Sequence, residues 1–348
     1  MRDFRSIINI VGLLLCIEAT AMLIPMSFDM VFRNEDWIQF LYSSLITFLI
    51  GIILYISFKS EKVRLGIRQA FVLTITSWIV ISIFGAIPFI YSSASLTYTD
   101  AFFESVSGIT TTGSTVIYNL DNLTEGILIW RSLLQWFGGI GIIVLAMAIL
   151  PTLQIGGMQL LHMEHDDPYE KTIPKVNRFV LELFLLYVSL SVICGILYFL
   201  NGMSGFDSVI HAMTTISTGG FSSHNESFGY FNSFKIEIIS VIFMIVGSLP
   251  FVLYLQFLHR QNKNFLKDDQ IKLFFIVVVS IVVLTTVWLK INLSTDITTS
   301  FRIALFNIIS ILTGTGFSSD NFSDWGSYGT VIMMIIMFIG GCAGSTTG

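Results

Sequence analysis

Residues 100–114 read Asp100-Ala101-Phe102-Phe103-Glu104-Ser105-Val106-Ser107-Gly108-Ile109-Thr110-Thr111-Thr112-Gly113-Ser114, a semi-apolar run that ends in a Thr/Gly tetrad. A helix of about ten residues covers only ~15 Å, half the thickness of a bilayer's hydrocarbon core. A segment of that length can enter a membrane and return but cannot cross it. The same order of features recurs twice. Phe206-Asp207-Ser208-Val209-Ile210-His211-Ala212-Met213-Thr214-Thr215-Ile216 leads into Ser217-Thr218-Gly219-Gly220-Phe221, and Phe301-Arg302-Ile303-Ala304-Leu305-Phe306-Asn307-Ile308-Ile309-Ser310 leads into Leu312-Thr313-Gly314-Thr315-Gly316-Phe317. The last glycines, Gly113, Gly220 and Gly316, lie 107 and 96 residues apart. Glycines also recur behind them at similar offsets, as Gly138-Gly139, Gly247 and Gly340-Gly341. One Thr/Gly tetrad reads as a surface turn. Three in register read as an internal repeat of span, half-helix, tetrad and span.

Around these loops the chain is apolar. Of its 348 residues, 54% are hydrophobic and only 12% charged, with a mean hydropathy of +0.80. A soluble domain carries about 25% charge, so the deficit must lie in long uncharged runs. Candidate spans fall near 7–28, 37–58, 70–91, 125–150, 178–200, 233–258, 271–291 and 328–348. The expected fold is therefore an all-α polytopic membrane protein with potassium-channel-like span–pore-loop–span units around one pore. Residues 1–66 form two leading spans, 67–175 the first unit, 176–268 the second and 269–348 the third. Arg2 and Arg5 before an apolar run, with Ala19-Thr20-Ala21 behind it, resemble a signal peptide. Glu18 interrupts that run and hydrophobicity resumes through Ile24, which favours a retained first span.

Basic residues set the expected orientation. With a cytoplasmic N-terminus, 13 of the 18 lie on the cytoplasmic side, including Lys59, Lys62, Arg64, Arg68, Lys171, Lys175, Arg178, Arg260, Lys263, Lys267 and Lys272. The tetrads then face outward, beside a mouth containing Asp100, Glu104, Asp121, Glu125, Asp207 and Glu226. Irregular backbone at membrane depth survives only where it is buried in protein or lines a water-filled cavity. Rings of carbonyls can replace a cation's hydration shell there, aided by the negative C-terminal ends of the half-helices. Thr111, Thr112, Gly113, Thr218, Gly219, Gly220, Gly314, Thr315 and Gly316 are the expected ion ligands, with potassium ions as substrate and no cofactor.

Other features carry less. Cys16, Cys194 and Cys342 sit in apolar spans at no metal-ligand spacing. His162, Glu164, His165, Asp166 and Asp167 lack metal-site spacing and read as a solvated cytoplasmic loop that meets a partner. Arg131 is expected beside the filter or snorkelling to headgroups. Glu18 is expected to be buried against a helix or at the lipid interface, and His211 simply to pack. No acid/base or nucleophile–base set stands in the spans, which argues against an intramembrane enzyme. The repeats are parallel rather than inverted, which argues against an organic-solute carrier. No basic run suits nucleic acid.

The whole chain resembles the Trk/Ktr/HKT superfamily of potassium transporters, in particular its bacterial Trk-type uptake subunit. The likeness rests on residues 100–105 leading into 110–113, on Gln135-Trp136-Phe137-Gly138-Gly139-Ile140-Gly141-Ile142-Ile143-Val144-Leu145, on Gly156-Gly157-Met158-Gln159-Leu160, and on Phe338-Ile339-Gly340-Gly341-Cys342-Ala343-Gly344-Ser345-Thr346. It implies four repeats around one pore, a homodimer in the cell (inner) membrane, and a cytosolic nucleotide-binding regulatory subunit. It also implies that Gly113 goes with potassium preference, since some sodium-carrying plant relatives have serine there. A sodium or non-selective monovalent cation transporter is the alternative, with a solute secondary transporter behind it.

The resemblance further implies that Gly340, Gly341, Cys342, Ala343, Gly344, Ser345, Thr346, Thr347 and Gly348 form an inner gate loop. Thr346-Thr347-Gly348 mimics a fourth filter segment, but only 32 residues separate Gly316 from Gly348. That is too few for a further span and half-helix, so this sequence is expected to stop within the third repeat. Two departures from the family pattern stand out. Thr347 replaces a usual glycine, and Gly314-Thr315-Gly316 replaces a commoner all-Thr approach.

Overall fold

The computed structural model describes residues 2–59, 67–153, 172–259, 268–293 and 296–347. The acidic and histidine cluster at 162–167, the glycine motif at 156–160, six of the cytoplasmic-side basic residues (Lys62, Arg64, Lys171, Arg260, Lys263 and Lys267) and Gly348 lie outside those residues. The described residues are helical, with no strand among them. Two compact units form: residues 1–110 with 114–135, and residues 111–113 with 136–348.

In the first unit the helices are α1 (Arg2–Ala21), α2 (Leu23–Phe32), α3 (Trp37–Ser57), α4 (Ile67–Gly85), α5 (Ile87–Tyr91), α6 (Tyr98–Ile109) and the start of α7 (Glu125–Leu153). Helices α1 and α3 approach at glycine: a β-carbon on Gly12 would lie 2.8 Å from the Gly51 carbonyl oxygen and 2.6 Å from the Tyr55 nitrogen. Small residues at such crossings let membrane helices pack backbone to backbone. The carboxylate of Asp29 accepts from the Gly126 nitrogen at 2.7 Å, and Asp36 accepts from Thr124 Oγ1 at 2.8 Å. Two acids from the leading hairpin thus sit at the positive N-terminal end of α7.

The second unit continues α7 and adds α8 (Thr172–Leu200), α9 (Gly205–Ile216), α10 (Phe234–Ser248), α11 (Phe251–Leu258), α12 (Asp269–Asn292), α13 (Ile297–Leu312) and α14 (Gly326–Met337). Six helices among the described residues are long and apolar enough to cross a bilayer, or seven if a pair bent by 90° counts as one. Eight were expected, and two differ for physical reasons. The run 233–258 breaks between α10 and α11, because Pro250 has no N–H and disfavours helix at the preceding Leu249, whose ψ is 154°. The eighth run holds only the 12 residues of α14 before the chain unwinds at its glycines. On α12, Leu273, Ile276, Val279, Val283, Leu284 and Ile291 are exposed, an apolar face too long for water and suited to lipid.

Candidate functional site

Three short helices, α6, α9 and α13, each run into a Thr/Gly segment. Thr97 Oγ1 accepts from the Asp100 nitrogen at 3.3 Å and donates to its carboxylate at 2.7 Å; Ser204 and Asp207 repeat this at 3.0 and 2.7 Å. These reciprocal caps start both helices 16 residues before Gly113 and Gly220, at a separation of 107. The third helix starts at Asp296, whose carboxylate accepts from the Thr298 nitrogen at 3.3 Å. At 16 residues, α13 is four longer than α6 and α9, one extra turn. Even so its ~24 Å falls short of a ~30 Å core.

The segments share one backbone form. Thr111 and Gly113 have φ of +54° and +78°, Thr218 and Gly220 +50° and +80°, and Gly314 and Gly316 +70° and +83°. Left-handed residues alternate with ordinary ones, so successive carbonyls do not swing to opposite sides as they would in a strand. The segments also converge. A β-carbon on Gly113 would strike the Gly219 carbonyl oxygen, with the Thr315 oxygen 3.5 Å away; one on Gly220 would strike the Thr315 oxygen. Of the nine expected residues, Gly113, Gly219, Gly220, Thr315 and Gly316 thereby meet across the three segments. Thr111 Oγ1 is buried and has no hydrogen-bond partner among the described residues.

Beneath the segments lies the loop 338–347, docked on the α10–α11 break. The Cys342 nitrogen donates to Ser248 O at 2.9 Å, and Thr346 donates to Gly247 O from its nitrogen at 3.1 Å and from Oγ1 at 2.8 Å. In return the Phe251 nitrogen donates to Gly344 O at 3.0 Å. Two interrupted helices satisfy each other's freed backbone groups, as membrane depth requires. The loop reaches the segments as well: Thr347 Oγ1 donates to Thr313 O at 3.1 Å, and Thr218 Oγ1 donates to Thr346 Oγ1 at 3.4 Å. Only one such break was read from the sequence; the described residues contain both of these.

Three sequence expectations need correction. Arg131 does not snorkel: it is 1% exposed and its Nε donates to Glu104 at 2.8 Å. Glu104 is consequently no part of an acidic mouth, being fully buried. His211 does more than pack, since its Nε2 lies 2.9 Å from Ser222 Oγ and its Nδ1 2.9 Å from Asp207 O. Glu18 is buried against α4 and α6, near Gly85 and Ser105, with neither carboxylate oxygen bonded among the described residues. Glu104, His211 and Asn307 each stand nine residues before a segment's last glycine. Sequence reading missed that register because the three residue types differ; only a column-by-column alignment of the repeats would have found it.

A family model described as a cation transport protein, TrkH, matches residues 38–348. The chain is 39% identical to the Trk system potassium uptake protein TrkH of Vibrio parahaemolyticus, over 99% of this chain and 73% of that protein. It is 36% identical to TrkI of the same system in Halomonas elongata, over 100% and 71%. The crystal structure of the potassium transporter TrkH from Vibrio parahaemolyticus superposes with a TM-score of 0.90 at 37% identity, covering 99% of this chain and 72% of that one.

Proposed function

The chain belongs to the TrkH family of cation transport proteins, and we propose that it takes up potassium through a filter built from residues 111–113, 218–220 and 314–316. One observation carries this reading: three segments in register, with alternating left-handed residues, press backbone carbonyls against one another's glycines. Carbonyls so aimed can replace the hydration shell of a cation, and no side-chain charge is needed. The Thr111 hydroxyl, unpartnered among the described residues, adds one more oxygen for that role. Helices α9 and α13 each end where their own segment begins, so their partial negative C-terminal charge lies beside 218–220 and 314–316. Glu226, exposed in the same unit as the three segments, leaves the proposed mouth acidic even without Glu104.

Loop 338–347 is the proposed inner gate, since it lies under the segments and is held by hydrogen bonds rather than by a continuous helix. The protein carries out no catalysis in this reading and holds no resident cofactor. It works as a homodimer in the cell (inner) membrane, N-terminus in the cytoplasm, regulated by a cytosolic nucleotide-binding subunit. Rubidium-86 uptake in potassium-uptake-deficient cells that express the full-length protein tests the filter. Gly113→Asp, which sets a side chain against the Gly219 carbonyl, should abolish uptake at unchanged protein level. Undiminished uptake by that variant, or no uptake by the wild type, would remove the assignment.

A further inference from the structure

We infer that Glu104, His211 and Asn307 are positioning residues that set the height of the filter, each tying its half-helix to the chain leaving the Thr/Gly segment. The inference rests on the filter reading above and adds residues outside the ion path. In each repeat the target lies two or three residues past the last glycine. Glu104 accepts from Thr115 Oγ1 at 3.0 and 3.1 Å and from the Val116 nitrogen at 3.1 Å. Nδ1 of His211, facing a carbonyl, must carry the proton, which leaves Nε2 to accept from the Ser222 hydroxyl at 2.9 Å. Ser222 Oγ in turn accepts from the His224 nitrogen at 3.1 Å. Asn307 Nδ2 donates to Ser319 Oγ at 3.1 Å, while its Oδ1 accepts from the Ser319 nitrogen at 3.3 Å.

Each clamp is itself anchored. His211 and Asn307 bond the carbonyl four residues back, Asp207 O and Ile303 O, both at 2.9 Å, and Glu104 is held by Arg131. A carboxylate, an imidazole and an amide thus perform one task at one register, all at most 1% exposed. Burying such groups costs free energy that an apolar residue would avoid. Left-handed threonine is strained, and it persists only where its surroundings over-determine it. A filter also discriminates by carbonyl placement. Fixing the exit of each segment, two or three residues beyond its last glycine, supplies that determination.

The repeats provide their own controls. His211→Asn installs the side chain that serves in the third repeat, whereas His211→Leu and Asn307→Leu delete the clamp. Ser222→Ala removes the far end of its clamp and Ser319→Ala the hydroxyl half of its own, leaving the Ser319 N–H bond. Both serve where a leucine variant fails to reach the membrane. Rubidium-86 and sodium-22 uptake are compared in potassium-uptake-deficient cells, with protein level read by immunoblot. The leucine variants should lose rubidium preference by about tenfold or more, the alanine variants by a lesser factor, and His211→Asn should keep it within about threefold. Normal preference in the leucine and alanine variants at normal protein level overturns the inference, as does equal loss in His211→Asn and His211→Leu. Gly113→Asp separates the two readings. If it abolishes uptake while the clamp variants change nothing, the clamp falls and the filter stands; if it too changes nothing, both fall.

Discussion

Thr111 and Thr218 hold a left-handed backbone that costs a β-branched residue roughly 1–2 kcal/mol. The third segment places Gly314 at the equivalent position, with φ of +70°. What looked in the sequence like a departure from an all-Thr approach is the same conformation reached without strain. The Thr/Gly composition of the segments was legible because glycine and threonine are unusual in apolar runs. The reason for each glycine was not, since it depends on where a neighbouring carbonyl arrives. Gly113 and Gly220 have no room for a β-carbon, but one on Gly314 would meet only Thr347 Cγ2 at 3.5 Å, an ordinary contact. Gly314→Thr should therefore keep rubidium-86 uptake within about threefold of wild type, because two other segments already carry that strain. Gly220→Thr should abolish it. Equal loss in both variants would show that the tight approach at Gly220 is not what makes its glycine necessary.

At the scale of elements, periodicity and length identified the spans and half-helices but not every interruption. Pro250 was visible inside the run 233–258, yet hydropathy carried the run across it. A helix–proline break leaves carbonyls that must find donors, and the donors here come from loop 338–347, almost a hundred residues later. Such pairing has no local signature, whereas Gly340-Gly341 announced the other half of it. Buried polar residues such as Glu104, Arg131 and His211 were hard to place for a related reason: their partners lie on other elements. The two breaks form one hydrogen-bonded assembly. Beside Thr346, a second link is Thr347, which reaches the chain before the third segment at Thr313 O and the break at Ser248 Oγ, 3.2 Å away. Thr347→Val keeps the shape and removes both bonds. A gate loosened in this way should raise rubidium-86 uptake in the absence of the regulatory subunit by about threefold to tenfold, matching one or two lost hydrogen bonds. Uptake equal to wild type would mean that Thr347 does not hold the loop closed.

For the molecule as a whole, the apolar faces of α3 and α12 establish that it belongs in a bilayer, while its orientation rests on the distribution of lysine and arginine alone. That rule concerns the side to which a loop is translocated rather than any contact in the fold, so the helices themselves do not decide it. Two exposed positions in the first unit separate the alternatives. Tyr118, 91% exposed, follows the first Thr/Gly segment, and Lys59, also exposed, lies just beyond α3. One span, Arg68–Tyr91, separates them, so they must face opposite sides of the membrane. The native thiols give little background: Cys194 and Cys342 are buried, and Cys16 is half-buried within an apolar helix. On intact cells, a membrane-impermeant maleimide should label Tyr118→Cys, and it should label Lys59→Cys only after permeabilisation. The reverse pattern would place the Thr/Gly segments toward the cytoplasm and loop 338–347 toward the outside. Filter and gate would then exchange sides, and a cytosolic regulatory subunit could no longer reach the gate from below.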